Sequence, residues 1–120
     1  MTGMNNSFLK VEKVEVAEFN NITVTELPNL IASGKAQLVD VRTDAEIARG
    51  RIGGAICLPL HLLPLRLRDL DAKKTTVFYC QMGGRSAQAA AFAAAQGLGD
   101  VYNLQGGITA WAHSGGEIVA

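Results

Sequence analysis

The sequence has few cysteines, few aromatic residues and no excess of either charge, and each shortage excludes a class of protein. Its two cysteines, Cys57 and Cys80, are too few for the disulfide framework of a small secreted domain. The chain has 11 Lys and Arg against 11 Asp and Glu, so it lacks the basic excess typical of nucleic-acid-binding proteins. Aromatic residues make up 6% of the sequence, which leaves few platforms on which single-stranded bases can stack.

Long hydrophobic segments are also missing. The longest apolar run, 89–95, is far shorter than the ~20 residues that cross a bilayer. The first 20 residues contain no apolar core of a signal peptide. With 120 residues, 48% of them hydrophobic, the chain has the size and apolar content of one domain. We therefore expect a cytoplasmic domain without a nucleic-acid or membrane partner.

Short strands alternate with short helices from residue 22 onward. Apolar and β-branched runs predict strands at 36–41, 55–58, 75–79 and 100–104, with a further short strand at 117–119. Helices are predicted up to Ser33, from near Pro64 within the leucine-rich segment 61–70, and over 86–96 and 108–113, with a single turn at 43–48. This alternation is typical of an α/β fold with a mainly parallel sheet covered by helices on both faces.

The start of the chain allows more than one interpretation. Residues 1–20 are predicted to form a partly flexible extension, and residues 21–120 to form the domain. Three valines within 11–16 alternate loosely with charged residues, which fits either an edge strand or an exposed arm. Thr23 with Glu26 fits a capping box, whereas Thr25 as the cap also keeps Pro28 within the first helical turn.

The segment 76–87 carries the clearest chemical signal. A buried strand ends at Cys80, a five-residue loop containing Gly83 and Gly84 follows, and a helix is predicted to begin near Ser86. Glycines let successive amides point inward as an anion-binding nest, and the helix adds its positive N-terminal end. Arg85 adds a permanent cation nearby. All of these features favour a lowered pKa of the Cys80 thiol, so we expect a nucleophile that can hold an anionic adduct such as a persulfide.

The other cysteine receives the opposite interpretation. Free cysteine most often packs as a small buried hydrophobe. Cys57 lies between Ile56 and Leu58 with no charged loop beside it, so we predict that it packs in the core. No Cys-x-x-Cys pair is present, which argues against a thioredoxin-type dithiol.

The sequence positions of the two histidines indicate neither a metal ligand nor a catalytic base. His61 and His113 pair neither with each other nor with a cysteine, so we expect no zinc site. His113 as the base of a cysteine protease is less consistent with the sequence than a surface histidine.

Three sequence blocks follow one another in an order and spacing typical of one protein family. The first is Leu-Val-Asp-Val-Arg at 38–42, followed by Glu46 and by Gly-Arg-Ile-Gly-Gly-Ala-Ile at 50–56. The second is the cysteine loop at 80–85, and the third is Asn-Leu-Gln-Gly-Gly-Ile-Thr-Ala-Trp at 103–111. Together they resemble the single-domain rhodaneses, which are thiosulfate sulfurtransferase-like proteins, over roughly residues 21–116.

This resemblance implies a rhodanese-like three-layer fold and a set of site residues. It makes Cys80 the nucleophile that accepts sulfur, and Asp40, Arg42 and Glu46 structural supports that tie the strand end to the following turn. The loop whose amides surround the persulfide would consist of Gln81, Met82, Gly83, Gly84 and Arg85. Arg51 stands where the family commonly has histidine, and that departure could change which donor is favoured.

The implied reaction moves a sulfane sulfur from a small anionic donor such as thiosulfate to cyanide or a thiol, with no metal or organic cofactor. One alternative is a persulfide carrier that delivers sulfur to a partner protein. A cysteine-dependent phosphatase or arsenate reductase is less consistent with the sequence. Their loops have five residues between cysteine and arginine, whereas four separate Cys80 from Arg85, which predicts a narrower cradle.

Overall fold

A five-stranded parallel sheet forms the centre of the molecule. The computed structural model describes residues 18–120, so the question of a strand or an arm at 11–16 lies outside the described residues. The strands are β1 (Asn20–Ile22), β2 (Ala36–Asp40), β3 (Arg51–Ile52), β4 (Ile56–Cys57), β5 (Thr75–Tyr79), β6 (Val101–Leu104) and β7 (Ile118–Val119). The sheet order is β1-β6-β5-β2-β4, with every pair parallel, and β3 pairs with β7 in a separate antiparallel ribbon.

Five helices connect these strands. They are α1 (Leu27–Ala32), α2 (Asp44–Ile47), α3 (Leu63–Arg66), α4 (Gly84–Ala95) and α5 (Gly107–His113). The short helix predicted to start near Pro64 is α3, and 3-10 turns flank it on both sides. The backbone at Arg66 has φ −123° and ψ 12°, outside the α region, so the α-helix cannot continue through it.

Residues of β2 and β5 alternate between two apolar layers. Leu38 and Tyr79 pack on one face with α1 and α5, while Val39 and Phe78 pack on the other face with α3 and the alanines of α4. This period of two is what a strand buried on both faces requires. The predicted three-layer α/β fold is therefore confirmed.

Two strands were not predicted. β1 pairs in register with β6, with Asn21 opposite Asn103, and β3 lies in the glycine-rich segment that follows the turn predicted at 43–48. No helix within residues 18–120 is long and apolar enough to cross a membrane.

Candidate active site

Cys80 directly follows β5, in the middle of the sheet. Parallel strands present their carboxyl ends at one edge, where ligands bind in open α/β sheets, and Cys80 lies at that edge. Cys80 is buried, with 1% of its surface exposed. The carbonyl oxygens of Cys80 and Gln81 accept hydrogen bonds from the first amides of α5, those of Ile108 at 3.0 Å and Thr109 at 3.1 Å. The start of α5 therefore fixes the backbone from which the cysteine loop departs.

The loop after Cys80 is shorter than predicted. Gly83 has φ 112° and caps α4, which begins at Gly84 rather than near Ser86. This φ lies in the left-handed region that favours glycine, and it turns the chain directly into the helix. The first turn of α4 thereby comes close to the cysteine sulfur.

Three donors converge on Sγ of Cys80. The Gly83 amide lies 3.1 Å from the sulfur, the Ser86 amide 3.4 Å and the Ser86 hydroxyl 3.3 Å. Burial favours the neutral thiol and is the largest single influence, but these hydrogen bonds, with a further one from the Met82 amide, outweigh it and lower the pKa of Cys80. The arrangement stabilises a thiolate, the nucleophilic form of cysteine.

Arg85 contributes less free charge than the sequence suggested. Its guanidinium forms a forked pair with Glu46, with Nη1 to Oε1 at 2.7 Å and Nη2 to Oε2 at 2.9 Å. Glu46 also completes a capping box with Thr43 at the start of α2. The hydrogen bonds from Arg85 are the main reason that the pKa of Glu46 is lowered to about 2. The ion pair between Arg85 and Glu46 thus connects α4 to α2, and its two charges neutralise each other.

Asp40 and Arg42 form a second ion pair beside the loop, and this one is buried. Arg42 Nη2 lies 2.7 Å from Asp40 Oδ2, and Nε lies 3.0 Å from Oδ1. Nη2 also donates to the carbonyl oxygen of Gly50 at 2.7 Å, and Nη1 donates to the Glu46 carbonyl oxygen and the Gln81 side chain at 3.4 Å. These contacts tie the end of β2 to the following turn and to the cysteine loop.

The remaining loop side chains point away from the sulfur. Gln81 accepts a hydrogen bond from Arg42 and donates one to Thr109 at 3.1 Å, and Met82 is 71% exposed. Backbone groups and Ser86 therefore form the immediate surroundings of Sγ.

The predicted core position of Cys57 is wrong. Cys57 is exposed, because it lies on the two-residue strand β4 at the edge of the sheet, where Ile56 is exposed as well. Arg51, for which the resemblance suggests histidine, lies on β3 opposite Val119 and lines neither cavity that adjoins the loop.

Sequence reasoning did not identify Ser86 and Asn103 as site residues. Both are buried. Ser86 Oγ lies within hydrogen-bond distance of Asn103 Oδ1 at 2.6 Å, and Asn103 Nδ2 donates to Asn21 Oδ1 at 3.1 Å. A polar residue in the middle of a buried strand is unusual, and this was the available signal for Asn103.

A cavity of about 540 Å³ adjoins the loop. Its polar lining includes Arg42, Glu46, Arg49, Gln81, Thr109 and His113. Cys80 does not line it, so the cavity lies beside the sulfur rather than over it. Within residues 18–120, no group of three or more His, Cys, Asp or Glu side chains is arranged to hold a metal ion.

Comparisons with known proteins agree with this geometry. The profile of the rhodanese-like domain matches residues 23–114. A sulfurtransferase of Allochromatium vinosum is 52% identical over 83 residues, which cover 69% of this chain and 78% of that protein. The thiosulfate sulfurtransferase GlpE of Shewanella oneidensis is 31% identical, over 80% of this chain and 95% of the relative.

Solved structures agree as well. A rhodanese-related protein from Thermoplasma volcanium superposes with a TM-score of 0.78 at 29% identity, covering 84% of this chain and 98% of that one. The matched residues 23–114 of the family profile include the cysteine loop and α5. The chain therefore belongs to the rhodanese-like domain family, among relatives that are named sulfurtransferases.

Proposed function

We propose that this protein is a rhodanese-type sulfurtransferase in which Cys80 accepts a sulfane sulfur from thiosulfate or a related donor. The observation that carries the proposal is the set of donors aimed at one buried sulfur, namely the amides of Gly83 and Ser86 and the Ser86 hydroxyl. Such donors stabilise negative charge on sulfur both in the thiolate and in a persulfide. A relative named as a thiosulfate sulfurtransferase supports thiosulfate as the donor.

The reaction proceeds in two balanced steps. The Cys80 thiolate attacks the outer sulfur of thiosulfate, a new S–S bond forms, and the old S–S bond breaks. Sulfite leaves with the bonding electron pair, and an anionic persulfide remains on Cys80. Cyanide or a thiolate then attacks the outer sulfur and regenerates the Cys80 thiolate. Two half-reactions on one nucleophile predict ping-pong kinetics.

The burial of Cys80 favours sulfur transfer over phosphate chemistry. With 1% of the residue exposed, only a slender reactive atom reaches Sγ. The outer sulfur of thiosulfate projects from its donor, whereas a phosphorus atom is surrounded by oxygens. Arg85 is engaged by Glu46 at 2.7 and 2.9 Å and is not free to clamp phosphoryl oxygens. These features argue against a phosphatase or an arsenate reductase.

The cavity beside the loop offers a place for the acceptor. Arg49 and His113 form no ion pair within residues 18–120, and both line this cavity together with Ile108. A thiol with an apolar body and a negative group fits this lining. A protein that presents a thiol is the other acceptor class. A cytoplasmic location, where thiols stay reduced, is part of the same proposal.

The test measures thiocyanate formed from thiosulfate and cyanide by the purified protein. We expect Cys80→Ser to abolish turnover, whereas Cys57→Ser, the matched control, keeps it. Mass spectrometry after incubation with thiosulfate should find one added sulfur atom on Cys80 and none on Cys57. Turnover that survives Cys80→Ser would refute the mechanism.

Two measurements on the same purified protein distinguish an enzyme from a persulfide carrier. Negligible thiocyanate formation, combined with sulfur uptake by Cys80 from a protein persulfide, would favour the carrier function. Release of phosphate from an aryl phosphate, lost in Cys80→Ser, would instead favour the phosphatase.

A further inference from the structure

A chain of hydrogen bonds runs from the surface to the cysteine sulfur. It starts at Asn21 on β1, passes through Asn103 on β6 and Ser86 on α4, and ends at Cys80. Asn21 is exposed, whereas Ser86 is fully buried and Asn103 is 6% exposed. The three links measure 3.1, 2.6 and 3.3 Å, from Asn21 inward.

The Ser86 hydroxyl has a single proton for two neighbours. Asn103 Oδ1 lies 2.6 Å from Ser86 Oγ, and Sγ of Cys80 lies 3.3 Å from it. When the Ser86 hydroxyl donates its hydrogen bond to Asn103 Oδ1, the hydroxyl oxygen can accept a hydrogen bond from the neutral Cys80 thiol. A thiolate has no proton to give, so the hydroxyl must then turn its own proton toward sulfur. Asn103 Oδ1 would be left facing Ser86 Oγ with no hydrogen between them, which is unfavourable in a buried site.

A half-turn of the Asn103 amide removes this conflict. It places Nδ2 against Ser86 Oγ as a donor, so that Asn103 donates to Ser86 and Ser86 donates to the sulfur. Oδ1 then faces Asn21, whose exposed amide can rotate and donate. The chain keeps the same number of hydrogen bonds in the opposite direction. The reversed chain ends on a negative charge, and hydrogen bonds to charged groups are stronger and polarise their neighbours.

We propose that Asn103 is a positioning residue whose amide reverses this chain when Cys80 becomes charged, so that the Ser86 hydroxyl supports the thiolate. The thiol proton leaves to water or a buffer base, and Ser86 keeps its own proton throughout. The consequence for sulfur transfer rests on the proposed function, but the effect on the thiolate does not. Because the reversed chain is charge-assisted, loss of Asn103 destabilises the thiolate more than the thiol.

Other charged groups near Cys80 do not account for the same effect. On α4, Arg85 is paired with Glu46 of α2, and at the end of β2 Asp40 is paired with Arg42. Each pair is close to neutral as a unit. On β6 and β1, the elements that carry the chain, Asn103 and Asn21 have no charge, so their influence on the sulfur is exerted through hydrogen bonds.

The test is the pH dependence of Cys80 alkylation by iodoacetamide, measured in the Cys57→Ser background so that one cysteine reacts. We expect Ser86→Ala to raise the midpoint of the pH profile of the alkylation rate by about one pH unit. This is the order expected for one lost hydrogen bond to a charged group. Asn103→Leu should raise it by a smaller amount. Asn103→Leu combined with Ser86→Ala should match Ser86→Ala alone, because Asn103 acts through that hydroxyl.

Either of two results would overturn the proposal. An unshifted or lowered midpoint in Asn103→Leu would mean that Asn103 does not support the thiolate. Shifts that simply add in the double variant would mean that it acts independently of Ser86. If leucine prevents folding, Asn103→Thr keeps a strand-forming residue whose hydroxyl is one bond too short to take over the contact. Alkylation requires a thiolate that the reagent can reach but no sulfur donor, so this assay remains decisive even if the protein proves unable to transfer sulfur from thiosulfate.

Discussion

Replacing Glu46 with glutamine should destabilise the fold by removing one half of the pair that joins α2 to α4. In the native protein both oxygens of Glu46 accept from Arg85, and Oε1 also accepts from the Thr43 amide and hydroxyl at 3.0 Å. Glutamine retains one acceptor oxygen and the shape of the side chain. It loses the charge and one arm of the fork. The change therefore probes the ion pair more than the packing.

The magnitude follows from the pKa of the carboxylate. Pairing with Arg85 is the main cause that lowers the pKa of Glu46 from 4.5 to about 2. At ~1.4 kcal/mol per pH unit, the full shift corresponds to ~3 kcal/mol. The Glu46 side chain is 24% exposed and that of Arg85 37%, so solvent screening reduces the expected loss to ~1–2 kcal/mol. For a domain of this size, that loss lowers the melting temperature by roughly 5–10 °C.

The sign of the pH dependence is fixed by the same shift. A carboxylate whose pKa is lowered on folding adds stability above its unfolded pKa, and that stability is lost as pH falls toward the folded pKa. The difference in unfolding free energy between native protein and Glu46→Gln should therefore be full at pH 7 and shrink between pH 4.5 and about 2. Urea titrations across this range measure that difference directly.

A matched control is available on the same helix. Asp44 is an exposed carboxylate in the first turn of α2 that forms no ion pair within residues 18–120. Asp44→Asn removes the same charge without the Arg85 contact, so its effect should be smaller. A difference between native protein and Glu46→Gln that stays constant from pH 7 to pH 2 would refute this reasoning.

Two further substitutions test the supports of the loop. Arg42→Met leaves Asp40 buried without its partner and should cost about 3–5 kcal/mol of unfolding free energy, as measured by urea titration; a loss below ~1 kcal/mol would contradict the structure. Gly107→Ala would place a Cβ 2.5 Å from the carbonyl oxygen of Cys80, so it should displace the cysteine loop and sharply slow alkylation of that thiol. Gly54→Ala is the control, because Gly54 also has a positive φ but has no atom within 4 Å of the added carbon; equal effects at both positions would assign the loss to backbone strain alone.

Local sequence predicts the central strands well because their apolar composition matches their buried positions in the sheet. β5 occupies 75–79 as predicted, and β2 ends one residue earlier than expected. Both strands lie between two neighbours and are buried on both faces, so a continuous apolar, β-branched run is what such a position requires. The start of α4 was placed two residues late, since the left-handed turn at Gly83 that brings the helix forward cannot be inferred from composition.

The errors concern contacts between residues that are distant in sequence. Cys57 has apolar neighbours, but its exposure depends on whether anything covers the edge of the sheet at β4. The pairing of Arg85 with Glu46 joins positions 39 residues apart, and so the sequence suggested a free cation near the sulfur. Asn103 reaches Cys80 only through the fold. Local patterns locate the cysteine loop, whereas several of the groups that surround its sulfur come from elements distant in sequence.

The pairing of the site's two arginines changes how the sulfur is stabilised. Arg42 and Arg85 are each matched by a carboxylate, from Asp40 and Glu46, so negative charge on Cys80 depends mainly on amides and a hydroxyl. For the sulfur transfer proposed above, this has an advantage over a free cation. Thiosulfate enters and sulfite leaves as anions, and an unpaired arginine over the loop would hold the product as firmly as the donor. Fixed dipoles aimed at Sγ act instead at short range on the reacting sulfur. The balanced charge of the site is thus suited to a reaction in which one anion must replace another at every turnover.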